Sequence, residues 1–279
     1  MHATQPAMLA CVLLAALPSC QSQPTEPSMP AAPRAIRTPR SAVSVRPATA
    51  LPVTTLPWLT LRDHFVATVG EQAGKGRPLG ALLVMADATF SAGSRFPLHG
   101  HREMEILSVV VDGVLSHHGD QAHGATLGPR HAQLISARDG MRHAEGNDTT
   151  GPVHMLQIWF QPHTSGGTPA YFQAAFEAPG RHVIAGEGGL PLRADARVEW
   201  IDLGPTSPAA SLPSQVTISI RPGRVAYVVA LTSSVTVEEA MLGVGDGAVL
   251  GVGEATIASR EASAAVLLIE LAAAPSRAP

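Results

Sequence analysis

Cysteine is almost missing from this 279-residue chain: Cys11 and Cys20 are the two, both within the first twenty residues. The rest of the chain therefore has no disulfide and no thiolate metal site. Charge is sparse as well, 15% of residues with a formal net of -3, and lysine is nearly absent, so arginine carries most of the positive charge. A nucleic-acid partner would need a basic face, and that class is excluded. Aromatic residues make up only 4%. Aliphatic residues are plentiful enough to form a core, and the length suits one large or two ordinary domains. Long apolar runs are lacking too: the run from Met8 to Leu17 is too short to span a bilayer. No segment has the pattern of a long amphipathic helix.

The run from Met8 to Leu17 fits the core of a signal peptide instead. Leu17-Pro18-Ser19-Cys20 follows it at once and is similar to a bacterial lipobox, in which the cysteine is lipidated and becomes the mature N-terminus. An ordinary secretory signal is the other reading, because no Lys or Arg precedes the run and Pro18 is not the usual small residue. Either reading makes residues 1–19 a leader and places the protein in the bacterial cell envelope. Membrane contact is expected only through a lipid on Cys20. Residues 20–52 are rich in Pro, Ala, Ser and Thr without apolar periodicity, the composition of a disordered linker.

From Val53 onward, short apolar segments alternate with Gly-containing turns. Ile106 to Val111 is apolar at nearly every position and reads as a strand buried on both faces. Asp112-Gly113 turns it back into Val114 to His118, and Val153 to Phe160 is a further strand. Residues 169–176 read as a short helix or an irregular crossing between halves. Strand signals then resume at Val198, Val216, Val225, Ser234, Ala248 and Ala264. Short strands at regular spacing predict an all-β protein of two tandem barrels or sandwiches, residues 53–165 and 166–275.

Histidine is distributed unevenly. Nine of the twelve fall between His99 and His163, and none follows His182. This predicts one functional and one structural half. His99 and His101 lie two apart, so in a strand they share a face. His143 and Glu145 repeat that spacing. Together they offer three nitrogens and one oxygen, a set suited to Fe(II), Mn, Co, Ni, Cu(II) or Zn. Glu105 shares strand parity with His99 and His101 and is the candidate to orient a ligand imidazole. His117, His118, His123 and His131 lie at turn-rich positions and read as surface residues. His154, in an apolar strand, reads as a hydrogen-bonded core residue.

Gly93, then His99-x-His101 and Glu105, resembles the first motif of the cupins. The longer text is more specific: residues 96–106, residues 140–145 and the block Pro152 to Pro162 resemble the pirin family, and Pro169-Ala170-Tyr171 sits where pirins cross to their second domain. The resemblance implies a bicupin, two jelly-roll barrels, with a C-terminal cupin lacking metal. It implies one metal ion in the N-terminal barrel, iron first, held by His99, His101, His143 and Glu145. It also implies a small-molecule substrate, a flavonol such as quercetin or another phenolic, oxidised by O2 with Glu145 as catalytic base as well as ligand. A non-enzymatic metal-binding cupin that takes a ligand or partner in the envelope is the alternative. Arg130 and Arg138 stand where the family tends to have glycine, and Arg142 replaces an apolar residue beside His143. Arginine at a turn position with positive φ would be strained.

Overall fold

The computed structural model describes residues 39–205, 211–259 and 263–273. The expected leader, Cys20 and the linker as far as residue 38 lie outside the described residues. The first twelve strands are β1 (Val43–Arg46), β2 (Val53–Leu56), β3 (Leu59–Asp63), β4 (Leu82–Phe90), β5 (His99–His101), β6 (Glu105–Asp112), β7 (Leu115–Gly119), β8 (His123–Leu127), β9 (His131–Ser136), β10 (Met141–Gly146), β11 (Val153–Phe160) and β12 (Ala170–Ala175). The remaining nine are β13 (Arg181–Ala185), β14 (Ala196–Leu203), β15 (Gln215–Ile220), β16 (Arg224–Ala230), β17 (Val235–Val237), β18 (Ala240–Leu242), β19 (Gly247–Leu250), β20 (Gly253–Ala258) and β21 (Ala264–Ala272).

The strands form two tandem jelly-roll barrels, each a large sheet facing a small one. The N-terminal barrel has the orders β12-β9-β6-β11-β4-β3-β2 and β5-β10-β7-β8; the C-terminal barrel has β1-β19-β16-β21-β14-β13 and β15-β20-β17-β18. Strand alternation divides the apolar residues among three main cores and a small fourth cluster of Ile106, Ile135, Ala137 and Met141. On β11, Val153 and Met155 pack inside the N-terminal barrel, while Leu156, Ile158 and Phe160 face outward. The outward residues meet Val198, Trp200, Leu267 and Ile269 of the C-terminal large sheet, so the two barrels share a third core along a seam. The C-terminal interior is filled by aliphatic side chains such as Ile218, Val228, Val237, Leu250 and Ile257.

Two segments depart from the sequence reading. Residues 20–52 were expected to be linker, yet Val43 to Arg46 pair antiparallel with Leu250 to Gly247 as an edge strand of the C-terminal barrel. Ser41 Oγ donates to the Gly251 carbonyl at 2.8 Å, anchoring the same stretch. The Pro- and Ala-rich composition hid an alternating Val43-Ser44-Val45-Arg46, too short for periodicity to register. Residues 169–176 were expected to be helical or irregular. They contain β12, which pairs with β9 of the N-terminal barrel from Ala170↔Ser136 to Ala175↔His131. Sheet membership therefore crosses the expected boundary at residue 166 in both directions.

Candidate metal centre

The centre is assembled by register. β10 lies between β5 and β7 in the small N-terminal sheet, with His143 opposite His99 on one side and Gly119 on the other. Two residues along, Glu145 stands opposite His117, and Met141 stands opposite His101. Period-two alternation turns Met141, His143 and Glu145 into the barrel and leaves Arg142 exposed. Glycine is required at 119, because a Cβ there would lie 2.8 Å from the His143 Cβ and 2.7 Å from the Arg142 carbonyl oxygen.

His99, His101 and His143 each bring a ring nitrogen within 4.8 Å of one another. His99 Nδ1 lies 2.8 Å from the Pro97 carbonyl oxygen, which fixes the proton on Nδ1 and leaves Nε2 as the free lone pair. His101 Nε2 and both nitrogens of His143 are buried without a hydrogen-bond partner. Burial, and then the neighbouring imidazoles, push His101 down to about 4 and His143 to about 3. Both rings are thus neutral at physiological pH, the form that ligates metal. Unmet buried nitrogens on neutral, converging imidazoles fit a divalent cation and not a packed core, where each unmet group is a net loss.

Glu145 is 3% exposed, and its carboxylate is held from several sides. Gln133 Nε2 donates to Oε1 and Gln157 Nε2 donates to Oε2 at 3.0 Å. Ser108 Oγ lies 2.8 Å from Oε1 and 2.9 Å from Gln157 Oε1. Tyr171, from β12, donates to Gln133 Oε1 at 3.0 Å and closes the network. These donors keep an anion in a buried place. Glu145 Oε2 lies 3.8 Å from His143 Nδ1, and it groups most closely with His143 and His117.

Two sequence expectations are corrected here. Glu105 does not orient an imidazole. Between His101 and Glu105 the chain passes from the small sheet to the large one, and Glu103 takes a φ of 49° on the way. Strand parity is reset, so Glu105 faces the seam with Leu107. There it accepts from Ser136 Oγ at 2.6 Å and lies 3.7 Å from the Arg193 guanidinium. His117 was expected at the surface and is completely buried, because β7 pairs with β10 on the inner side of the centre. Its H-H-G-D context resembles a turn, and only the pairing partner reveals which way it points. His118 does lie on the outer face, paired to Asp148 at 2.8 Å, and His123 is exposed. His131 is half-buried with Nδ1 3.1 Å from the Pro129 carbonyl. His154 is hydrogen-bonded, to Asp87 at 2.6 Å, but is half-buried at the sheet face.

Beside the centre, a cavity of about 280 Å³ opens inside the barrel. Leu61, Val84, Phe90, Phe96, Met155 and Trp159 form its apolar walls, and His99, Glu145 and Gln157 supply polar lining. Trp159 also meets His101 edge to face at 5.0 Å.

The pirin family model matches residues 46–160. A pirin-like protein of Caulobacter vibrioides is 30% identical over 200 residues, covering 68% of this chain and 83% of that protein. The chain belongs to the pirin family. A quercetin 2,3-dioxygenase of Escherichia coli O157:H7 is 28% identical over 198 residues, covering 68% of this chain and 82% of that enzyme. Among solved structures, the bacterial pirin YhhW of Escherichia coli in complex with nickel(II) aligns with a TM-score of 0.74 at 24% identity, over 84% of this chain and all of that one. At that identity the likeness speaks for the fold, the pirin arrangement of two cupin barrels.

Proposed function

We propose that the protein holds one divalent metal ion through His99, His101, His143 and Glu145 and oxidises a flavonol or a related phenolic with O2. One observation carries this reading: partnerless, neutral imidazole nitrogens converge at the edge of an apolar cavity that His99 and Glu145 also line. The nickel in YhhW and the quercetin 2,3-dioxygenase relatives support it. Iron is the first candidate ion, with Mn, Co, Ni, Cu or Zn compatible with the same donors. Such an ion would supply Lewis acidity towards a phenolate oxygen.

The chain's own residues do the rest. Phe90, Phe96 and Trp159 receive the aromatic rings and exclude water from the centre. Glu145 Oε2 carries one hydrogen bond against the two donor contacts at Oε1, so it is the carboxylate oxygen with capacity left, either as a ligand that would hold the ion or as the base that accepts the phenolic proton. Gln133, Ser108 and Gln157 hold that carboxylate in place. The leader-like residues 1–19 and Cys20 support a location in the cell envelope.

The test is to load the purified protein with iron or nickel, add quercetin, and follow flavonol absorbance together with O2 uptake. Turnover that disappears in His101→Ala is the expected result. A fully loaded protein that leaves quercetin and related flavonols unchanged under O2 would overturn the oxidoreductase reading. It would leave a metal-binding module for an envelope ligand in its place.

A further inference from the structure

A second three-donor arrangement lies deeper in the same barrel. His117, His143 and Glu145 each bring one donor atom within 4.8 Å of one another, and all three side chains are buried. The register explains it, since β7 sets His117 directly opposite Glu145. Neither nitrogen of His117 has a hydrogen-bond partner. Its ring packs 4.9 Å from Tyr171 and 5.4 Å from His143.

A side chain that only filled this space would be apolar, as its strand neighbour Leu115 is. An imidazole sealed from water with two unmet nitrogens is unfavourable unless something binds it. Glu145 is already held by Gln133, Ser108 and Gln157, and Tyr171 is turned to Gln133. A cation among the three residues satisfies His117 and His143 and neutralises a buried carboxylate at once. His143 has both ring nitrogens without a partner, so it can serve either donor group.

We propose that His117, His143 and Glu145 form an inner cation position, an alternative to the outer one in which His99 and His101 join the same His143 and Glu145, with a single divalent ion held at either. Two ions sharing one buried imidazole would repel strongly, so the positions exclude one another. The outer position borders the cavity through His99; His117 does not line the cavity. The inner position offers two nitrogens and one carboxylate from buried side chains, and suits an ion content with low coordination such as Zn or Co. Its one contact with the cavity is Glu145, which lines that space, whereas His117 and His143 do not. The inference rests on the metal reading above but makes a separate claim.

The experiment is cobalt(II) binding to the metal-stripped full-length protein, read by equilibrium dialysis and visible absorption. Wild type is expected to bind one ion per chain. His99→Ala/His101→Ala is expected to keep about one ion, more weakly, with the stronger absorption of lower-coordinate cobalt. Adding His117→Phe, which preserves the ring packing on Tyr171, should weaken that remaining binding by more than about 100-fold, beyond the 10- to 100-fold effect of a group that merely supports a ligand. His117→Phe alone should still bind one ion at the outer position, which also shows that the variant folds. An outer double variant that binds no cobalt, or whose binding ignores His117→Phe, overturns the inner position and leaves the outer site standing. A wild type that binds no cobalt overturns both.

Discussion

At the scale of the residue, Asp63 and His64 are sequence neighbours that burial drives in opposite directions. Asp63 is completely buried with neither carboxylate oxygen hydrogen-bonded, and burial raises it from 3.8 to about 6. His64 bonds Tyr227 at 2.7 Å through Nδ1, and burial lowers it from 6.5 to about 4. Between those limits the folded state keeps a proton on Asp63 that the unfolded chain has released. Stability from Asp63 is therefore full below pH 4 and is lost as pH rises through 6. For His64 the sign reverses: its contribution is present above 6.5 and lost as pH falls towards 4. Asp63→Asn removes the first effect. It should raise stability at pH 7.5 by about 1–2 kcal/mol and change nothing below pH 4, as measured by denaturant melts at the two pH values. The convergence of His99, His101 and His143 was legible in the sequence because a spacing of two fixes a shared face. His117 and Glu105 were not legible. One depends on which strand pairs with β7, and the other on a single positive φ that ends the alternation.

At the scale of the element, the seam depends on a turn that arginine should disfavour. Arg130 adopts a φ of 62° between β8 and β9, and Arg138 a φ of 41° between β9 and β10. The strain expected of arginine at these positions is present; such a residue in the left-handed region costs about 1–2 kcal/mol. At Arg130 the compensation is visible. The guanidinium forms a two-pronged bond to Asp202 on β14, 2.9 and 2.8 Å, donates to the Phe176 and Ala178 carbonyls, and lies over the Phe176 and Trp200 rings. Glycine would relieve the backbone but release the opposite barrel. Arg130→Gly should therefore destabilise by about 2 kcal/mol despite removing the strain, because Asp202 keeps its bonds from Gly180 N–H and Trp200 Nε1–H but is left largely buried without its cation. Combined with Asp202→Asn, the loss should fall short of the sum of the single losses by about 1 kcal/mol or more, read from urea midpoints in a double-mutant cycle. Strictly additive losses would mean that the two side chains act independently. Most strands were legible from apolar runs such as Ile106 to Val111 and Val225 to Leu231. Among the strands missed, the edge strands β1 and β12 each take their stability from a partner far along the chain and not from their own pattern, and β8, β13, β18 and β20 were not read either.

At the scale of the whole molecule, chemistry and bulk are divided between the barrels but stability is not. The C-terminal interior is aliphatic, whereas the N-terminal interior gives space to Ser108, Gln133, His143 and Glu145. The seam binds them into one cooperative body, since Leu107 and Leu156 of one large sheet share a core with Trp200 and Leu267 of the other. Unfolding either barrel alone would expose that shared apolar surface, so the described body should melt in one transition. Metal bound only to the folded state adds RT ln(1 + [L]/Kd), about 2.7 kcal/mol at a free concentration 100 times Kd. Nickel(II) or iron(II) should therefore raise the temperature of the entire calorimetric transition, and a chelator should lower it again. His99→Ala/His143→Ala should abolish the shift. If the ion moved only part of a split transition, the barrels would be separate folding units and the seam would be a contact between them, not a shared core.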